Sequence, residues 1–215
     1  MTYQVVFFDL DGIIFDSYDL WDKAIENLLY DYGVSYTQVI KKTLWEIPMT
    51  QANKYLKSLI EDSINDNLFE SQKMQYLRSL YKHVELIDNA ETVLKTLHFQ
   101  NVPIYGVTAN YFELAKVGLE ANGIFAYFNG LYSSMEDGKG EKDSAFLKAI
   151  CEKEKLNLSD ILFVEDNQNN LKIAQTLGID GIFYDSDSNP MTKINDDFPI
   201  IEKLSQLLHY FKGDK

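Results

Sequence analysis

Asp9 and Asp11 stand one residue apart in Asp9-Leu10-Asp11-Gly12, a spacing that can do chemistry. On an extended chain, side chains at i and i+2 point to the same side. Gly12 allows a sharp turn directly after them. One such carboxylate can attack phosphorus. The other can protonate a leaving oxygen and later deprotonate the attacking water. Taken alone, the same four residues also read as a strand-ending Asp-Gly turn with no chemistry, because short motifs match often by chance. Downstream come Thr108-Ala109-Asn110, two candidate lysines at Lys139 and Lys142, and the acid pair Glu165-Asp166. Acids gathered with a lysine and a hydroxyl suit a cation and an anionic ligand.

These residues need a scaffold. Val5-Val6-Phe7-Phe8 is a continuous apolar run before the Asp-Gly turn and predicts a buried strand. Leu20, Trp21, Ala24, Ile25, Leu28, Leu29 and Tyr32 recur at helical spacing, with Gly33 as a stop. Further helices are predicted near 37–46, 50–60 and 71–82, separated by Pro48 and the polar stretch 61–67. No strand pattern interrupts residues 19–82. After residue 88 the pattern alternates: strands at 102–107, 130–133, 161–164 and 181–184, with helices at 88–99, 111–121, 143–154 and 169–177. A last helix is predicted near 200–211, with Ile201, Leu204, Leu208 and Phe211 on one face. This alternation implies an α/β fold, a Rossmann-like parallel sheet covered on both faces. Residues 1–15 and 89–215 would form that core, and 16–88 an inserted all-α cap. Open sheets of this kind bind ligands at the carboxyl ends of their strands. Asp9, Thr108 and Glu165-Asp166 fall directly after predicted strands, and Lys142 lies further on, in the loop after another.

Phe8-Asp9-Leu10-Asp11-Gly12-Ile13-Ile14-Phe15-Asp16-Ser17 resembles the first motif of the haloacid dehalogenase superfamily, and within it the phosphoglycolate phosphatase and β-phosphoglucomutase branch. Val107-Thr108-Ala109-Asn110 resembles the second motif, residues 137–146 hold the motif-three lysine, and Ile161 to Asp166 followed by Asn170 resembles the fourth. The resemblance spans the whole chain. It implies that Asp9 is the nucleophile and Asp11 the general acid and base. It implies a Mg²⁺ ion held by Asp9, the Asp11 backbone carbonyl and Asp166, with Glu165 reaching the metal through water. It also implies that Thr108 and the backbone of Ala109 and Asn110 hold the phosphoryl oxygens. Two departures stand out. Glu165 replaces the glycine common in motif four, and Asn170 replaces an acid, reading either as an orienter of metal-bound water or as a helix cap. Two lysines compete for the motif-three place: Lys142, which opens a predicted helix, is favoured over Lys139, which lies between Gly138 and Gly140.

The chain has 215 residues, 46% hydrophobic, with net charge -13 and pI near 4.6. Such a balance repels nucleic acid and anionic membrane surfaces. Cys151 is the single cysteine, so no intrachain disulfide is possible, and a reducing cytoplasm fits. Its neighbours read as helix, so packing is its expected role. The first apolar run is too short for a signal peptide, and no segment is long and apolar enough to span a bilayer. His83, His98 and His209 share no ligand spacing, and Trp21 and Trp45 read as cap core.

The expected function is Mg-dependent hydrolysis of a small phosphorylated metabolite through an aspartyl-phosphate. A phosphomutase of the β-phosphoglucomutase kind shares every core motif, but it should grip a second phosphate, often with arginine, and Arg78 is the only arginine. A signalling receiver is a weaker fit, because its acceptor aspartate ends a middle strand. A non-enzymatic binding module is the remaining alternative.

Overall fold

The computed structural model describes residues 3–47, 49–60, 64–136, 140–185 and 197–211. Six strands form one parallel sheet: β1 (Val5–Phe8), β4 (Ile104–Thr108), β5 (Gly130–Ser133), β6 (Ile161–Glu165), β7 (Asp180–Tyr184) and β8 (Ile200–Ile201). Their spatial order is β5-β4-β1-β6-β7-β8. From β1 the chain runs outward to β4 and β5, then crosses back to β6 and runs the other way. The reversal falls between β1 and β6, which pair in parallel from Val5↔Ile161 to Phe8↔Val164. A crevice opens at such a switch point, beyond the carboxyl ends of the two strands.

The apolar run of β1 is explained by its central place. Val6 and Phe8 join one hydrophobic cluster, and Val5 and Phe7 join the cluster on the opposite face. Both faces are covered, so no position in the strand can be polar. Each buried phenylalanine stabilises the fold by roughly 1.5–3 kcal/mol.

A two-stranded antiparallel ribbon, β2 (Phe15–Asp16) with β3 (Glu85–Leu86), brackets the helical block. Between them lie α1 (Tyr18–Asp31), α2 (Gln38–Glu46), α3 (Met49–Ser58) and α4 (Asp66–Tyr81). They share a small core of their own, including Ile25, Leu28, Leu56 and Phe69. The last of these helices begins at Asp66, five residues before the sequence expectation, because the Asn65 side chain accepts from the backbone N–H groups of Asn67 and Leu68. A polar stretch that looked like a linker thus supplies a helix cap and a first turn.

In the core, α5 (Ala90–Phe99), α6 (Phe112–Ala121), α7 (Ser144–Glu154) and α8 (Gln168–Thr176) connect the strands. The C-terminal expectation is corrected. Residues 200–211 are not one α-helix but β8 followed by a 3-10 helix, Leu204–Tyr210. Buried positions fall at Ile201, Leu204 and Leu207. That spacing of three matches the 3-10 repeat, and it overlaps the helical pattern closely enough to mislead. Pairing of Ile200 with Phe183 and of Ile201 with Tyr184 ties the start of this segment to the sheet edge. No helix among the described residues is long and apolar enough to cross a membrane.

Candidate active site

Asp9 follows β1 directly and is 8% exposed. Its Oδ1 accepts from the Leu10 backbone N–H at 2.7 Å and pairs with Lys142 Nζ at 2.7 Å. Lys142 is 1% exposed and also donates to Glu165 Oε2 at 2.8 Å. Burial alone would lower the pKa of this ammonium, but the charges of Asp9 and Glu165 outweigh it and raise the pKa. Lys142 stands one residue before Asp143, whose side chain caps α7 by accepting from Phe146 N–H at 2.8 Å. A capped helix start is a fixed element, which preorganises the lysine. Lys139, the other candidate, lies outside the described residues.

Glu165 ends β6 fully buried. Burial and the Asp9 charge push its carboxyl well up, while Lys142 opposes them. Its second oxygen, Oε1, accepts from Asn170 Nδ2 at 2.7 Å. Asn170 is therefore not the helix cap, which is Asn167, accepting from Asn169 N–H at 2.9 Å. Asp166 is pushed up to about 7 by burial and by the charge of Asp9. The Tyr18 hydroxyl donates to it. Donor atoms of Asp9, Glu165 and Asp166 all lie within 4.8 Å of one another. Like charges this close raise each other's pKa unless a cation offsets them. An all-oxygen, carboxylate-rich donor set fits a hard divalent ion such as Mg²⁺. Gly12 has φ +79, and a Cβ there would collide with Asp166 and the Tyr18 hydroxyl, so the turn needs glycine on two counts.

Asp11 turns away from that trio. Its Oδ1 accepts from Ser17 Oγ at 2.6 Å and from the Tyr81 hydroxyl, and its Oδ2 accepts from Asn110 Nδ2 at 2.9 Å. Burial pushes its carboxyl up, against the pull of the Ser17 and Tyr81 donors. Thr108, 1% exposed, ends β4, and its Oγ1 accepts from Asn110 N–H at 2.9 Å. That bond closes Thr108-Ala109-Asn110 into a tight turn. Ser133 Oγ holds the Asn110 carbonyl at 2.6 Å.

A cavity of about 290 Å³ opens between the sheet edge and the helical block. Asp9, Asp11 and the Thr108-Ala109-Asn110 turn line one end. Trp21, Trp45, Asn53 and Lys73 line the other. The tryptophans depart from the cap-core expectation: Trp21 packs against the main core cluster, neither joins the core shared by the cap helices, and both form cavity wall, which the helical pattern did not reveal. Several groups around the site had no signal in the sequence. Tyr18 and Tyr81 reach the core acids across 148 and 70 residues, and Trp21 Nε1 donates to the Tyr81 hydroxyl at 2.8 Å. Ser17 precedes α1 but makes no cap bond with its side chain, and serves Asp11 instead. Cys151 is buried, with its thiol pushed up to about 11 by burial, in keeping with packing.

The model of the haloacid dehalogenase-like hydrolase family matches residues 6–184. The chain is 24% identical over 178 residues to a protein of Drosophila melanogaster named probable pseudouridine-5'-phosphatase, covering 80% of this chain and 77% of that one. It is 24% identical over 222 residues to phosphoglycolate phosphatase of Photobacterium profundum, covering 97% and 96%. Among solved structures, a Bacillus subtilis protein assigned as a HAD-hydrolase and bound to magnesium superposes with TM-score 0.77 at 21% identity, over 98% of this chain and 99% of that one.

Proposed function

The chain belongs to the haloacid dehalogenase-like hydrolase family, and from that premise we propose that it is a magnesium-dependent phosphatase acting on a small phosphorylated metabolite. The observation that carries this reading is the buried Lys142–Asp9 pair, 2.7 Å apart. It sets a cation against a strand-end carboxylate, where an attacking carboxylate and an incoming phosphate would both be negative.

A carboxylate oxygen of Asp9 attacks phosphorus, and the bond from phosphorus to the ester oxygen breaks. Asp11 gives its proton to that oxygen as the alcohol leaves. Water then attacks the aspartyl-phosphate while Asp11 takes a proton back, which releases orthophosphate and restores Asp9. Thr108 and the backbone N–H of Ala109 hold the phosphoryl oxygens, and the Asn110 N–H, bonded to Thr108 Oγ1, fixes that hydroxyl for them. Lys142, positioned by Glu165, offsets their charge. Asp9 and Asp166 would hold Mg²⁺, with the Asp11 carbonyl and, through water, Glu165. A cation bound there supplies charge that neutralises the phosphoryl oxygens. The helical block, residues 16–88, serves as the cap that shields the site from bulk water. The single buried cysteine suits a reducing cytoplasm.

Hydrolysis is favoured over phosphoryl transfer between sugar positions. The only arginine, Arg78, pairs with Glu113 on α6 and is not among the residues lining the cavity. The test is release of p-nitrophenol from p-nitrophenyl phosphate. Turnover should need Mg²⁺, stop in excess EDTA and return on adding Mg²⁺. Full turnover in chelator would overturn the metal assignment, and no turnover with the metal, on this ester or a panel of phosphomonoesters, would overturn the phosphatase reading.

A further inference from the structure

The cap-side wall of the cavity is built differently from the end that would take the phosphoryl group. Trp21, Ile25, Tyr36, Leu44, Trp45 and Leu56 give it an apolar, largely aromatic surface. The Tyr18 ring also packs edge-on against Trp45, with centroids 5.2 Å apart.

Among the described lining residues one cation is present, Lys73, and it is already used. An ammonium has three donors. Lys73 Nζ lies 2.7 Å from Asn53 Oδ1, 3.2 Å from the Tyr111 hydroxyl and 3.0 Å from Glu70 Oε2. Glu70 in turn accepts from Asn53 Nδ2 at 2.6 Å and from Tyr111 at 2.8 Å. The cluster is closed and its charges cancel. The other charged residue on this wall, Asp22, is an acid, held by Lys41 and by the Tyr36 hydroxyl at 2.6 Å. No cation here is left to receive a second anionic group, and an uncompensated charge buried there would be costly. The cavity volume of about 290 Å³ is at the low end for small-molecule sites.

We propose that the site selects phosphomonoesters whose leaving group is uncharged, flat and about one ring in size, and that it disfavours leaving groups carrying a carboxylate or a second phosphate. Glu70 is a specificity-determining residue in this scheme, because it cancels Lys73. The inference rests on the phosphatase reading above and adds the substrate class to it.

Benzyl phosphate and phosphoglycolate form a matched pair of probes. Each carries a CH₂ on the ester oxygen, followed by a ring in one and a carboxylate in the other. With Mg²⁺ present, kcat/KM should favour benzyl phosphate by about 10-fold or more. Glu70→Gln should shrink that ratio at least ~5-fold, chiefly through a lower KM for phosphoglycolate, since Lys73 is then free to meet the carboxylate. Equal or better turnover of phosphoglycolate by the wild type would overturn the proposal, as would an unchanged ratio in a folded Glu70→Gln variant. Should that variant fail to fold, Trp45→Ala replaces it, and it should raise KM for benzyl phosphate more than for phosphoglycolate. A parallel rise in both would count against the apolar wall. If neither probe is turned over, p-nitrophenyl phosphate and the wider panel decide the phosphatase reading, and the pocket is read by binding instead. Fluorescence then decides it, because both tryptophans of the chain line the cavity. Benzyl alcohol should change their emission at concentrations where glycolate does not, and the reverse order would sink the proposal.

Discussion

Lys142 and Lys73 are the two buried lysines of the described residues: Lys73 lines the cavity on the cap side, and Lys142 lies behind Asp9, which lines it at the sheet end. Lys142 touches Asp9 and Glu165, and its pKa is raised because two carboxylates outweigh the cost of burial. Lys73 has the single carboxylate Glu70 and two neutral partners, and its pKa is lowered because burial outweighs that one attraction. The same side chain under similar burial is pushed in opposite directions by the charge count around it. The sheet end carries an excess of negative charge that calls for a cation or a proton. The cap end is closed upon itself. Chemistry suits the first arrangement, and selection by shape suits the second.

The largest effect should come from Asp9→Asn. An amide is a poor nucleophile, so turnover should fall by at least ~10⁴-fold. The substitution removes one negative charge from a crowded site, so thermal stability should hold. A purified, folded variant with wild-type turnover would end the covalent mechanism and, with it, the functional contrast between the two ends.

Swapping each lysine for methionine sharpens the contrast. Lys142→Met should lower kcat/KM for p-nitrophenyl phosphate by ~10²-fold or more. It should also destabilise the fold by about 3–5 kcal/mol, since it leaves Asp9 and Glu165 buried without their partner. Lys73→Met should cost less than ~10-fold, mostly in KM, because Lys73 touches no reacting atom. Lys139→Ala should change either property little. Steady-state kinetics and thermal melts of the three variants give the ranking. A larger loss in kcat for Lys73→Met than for Lys142→Met would invert the assignment of the two ends.

The two ends also differ in how far the sequence revealed them. Asp9, Thr108 and Glu165-Asp166 each directly follow an apolar run, and a parallel sheet gathers such positions at one edge whatever the rest of the chain does. Lys142 was legible for a related reason, since it stands at the start of a predicted helix. The cap end lacks this logic. Asn53, Glu70 and Lys73 come from two helices, and Tyr111 opens a third in the core. Their meeting depends on the angle at which the helices cross, which no local pattern encodes. The same limit hid Tyr81, inside a predicted helix, and Tyr18, just before one, whose hydroxyls serve acids far along the chain. The tail departs from the helical expectation for another reason. A spacing of three fits both a 3-10 turn and an α-helix, and only the pairing of β8 with β7 separates them.

The smallest effect concerns the closed cluster, and pH reads it. Burial alone would raise the Glu70 carboxyl, but the Lys73 charge and the hydrogen bonds from Lys73, Tyr111 and Asn53 outweigh it and lower the pKa below its ordinary value. A carboxylate whose folded pKa is depressed stabilises the fold fully above the unfolded value, about 4.3 for glutamate. That contribution fades as pH falls through the lower, folded value. Glu70→Gln cannot ionise, so it lacks this contribution at every pH. Near neutral pH the variant should therefore melt below the wild type, and the gap should narrow steadily as pH drops below ~4. Glu70 links α3, α4 and the start of α6, so the gap also reports how firmly the cap end is tied to the core. Thermal melts of both proteins between about pH 3 and 7 would show it. A gap of constant size across that range would mean that the Glu70 charge adds nothing, and that the cluster is held by its neutral hydrogen bonds alone.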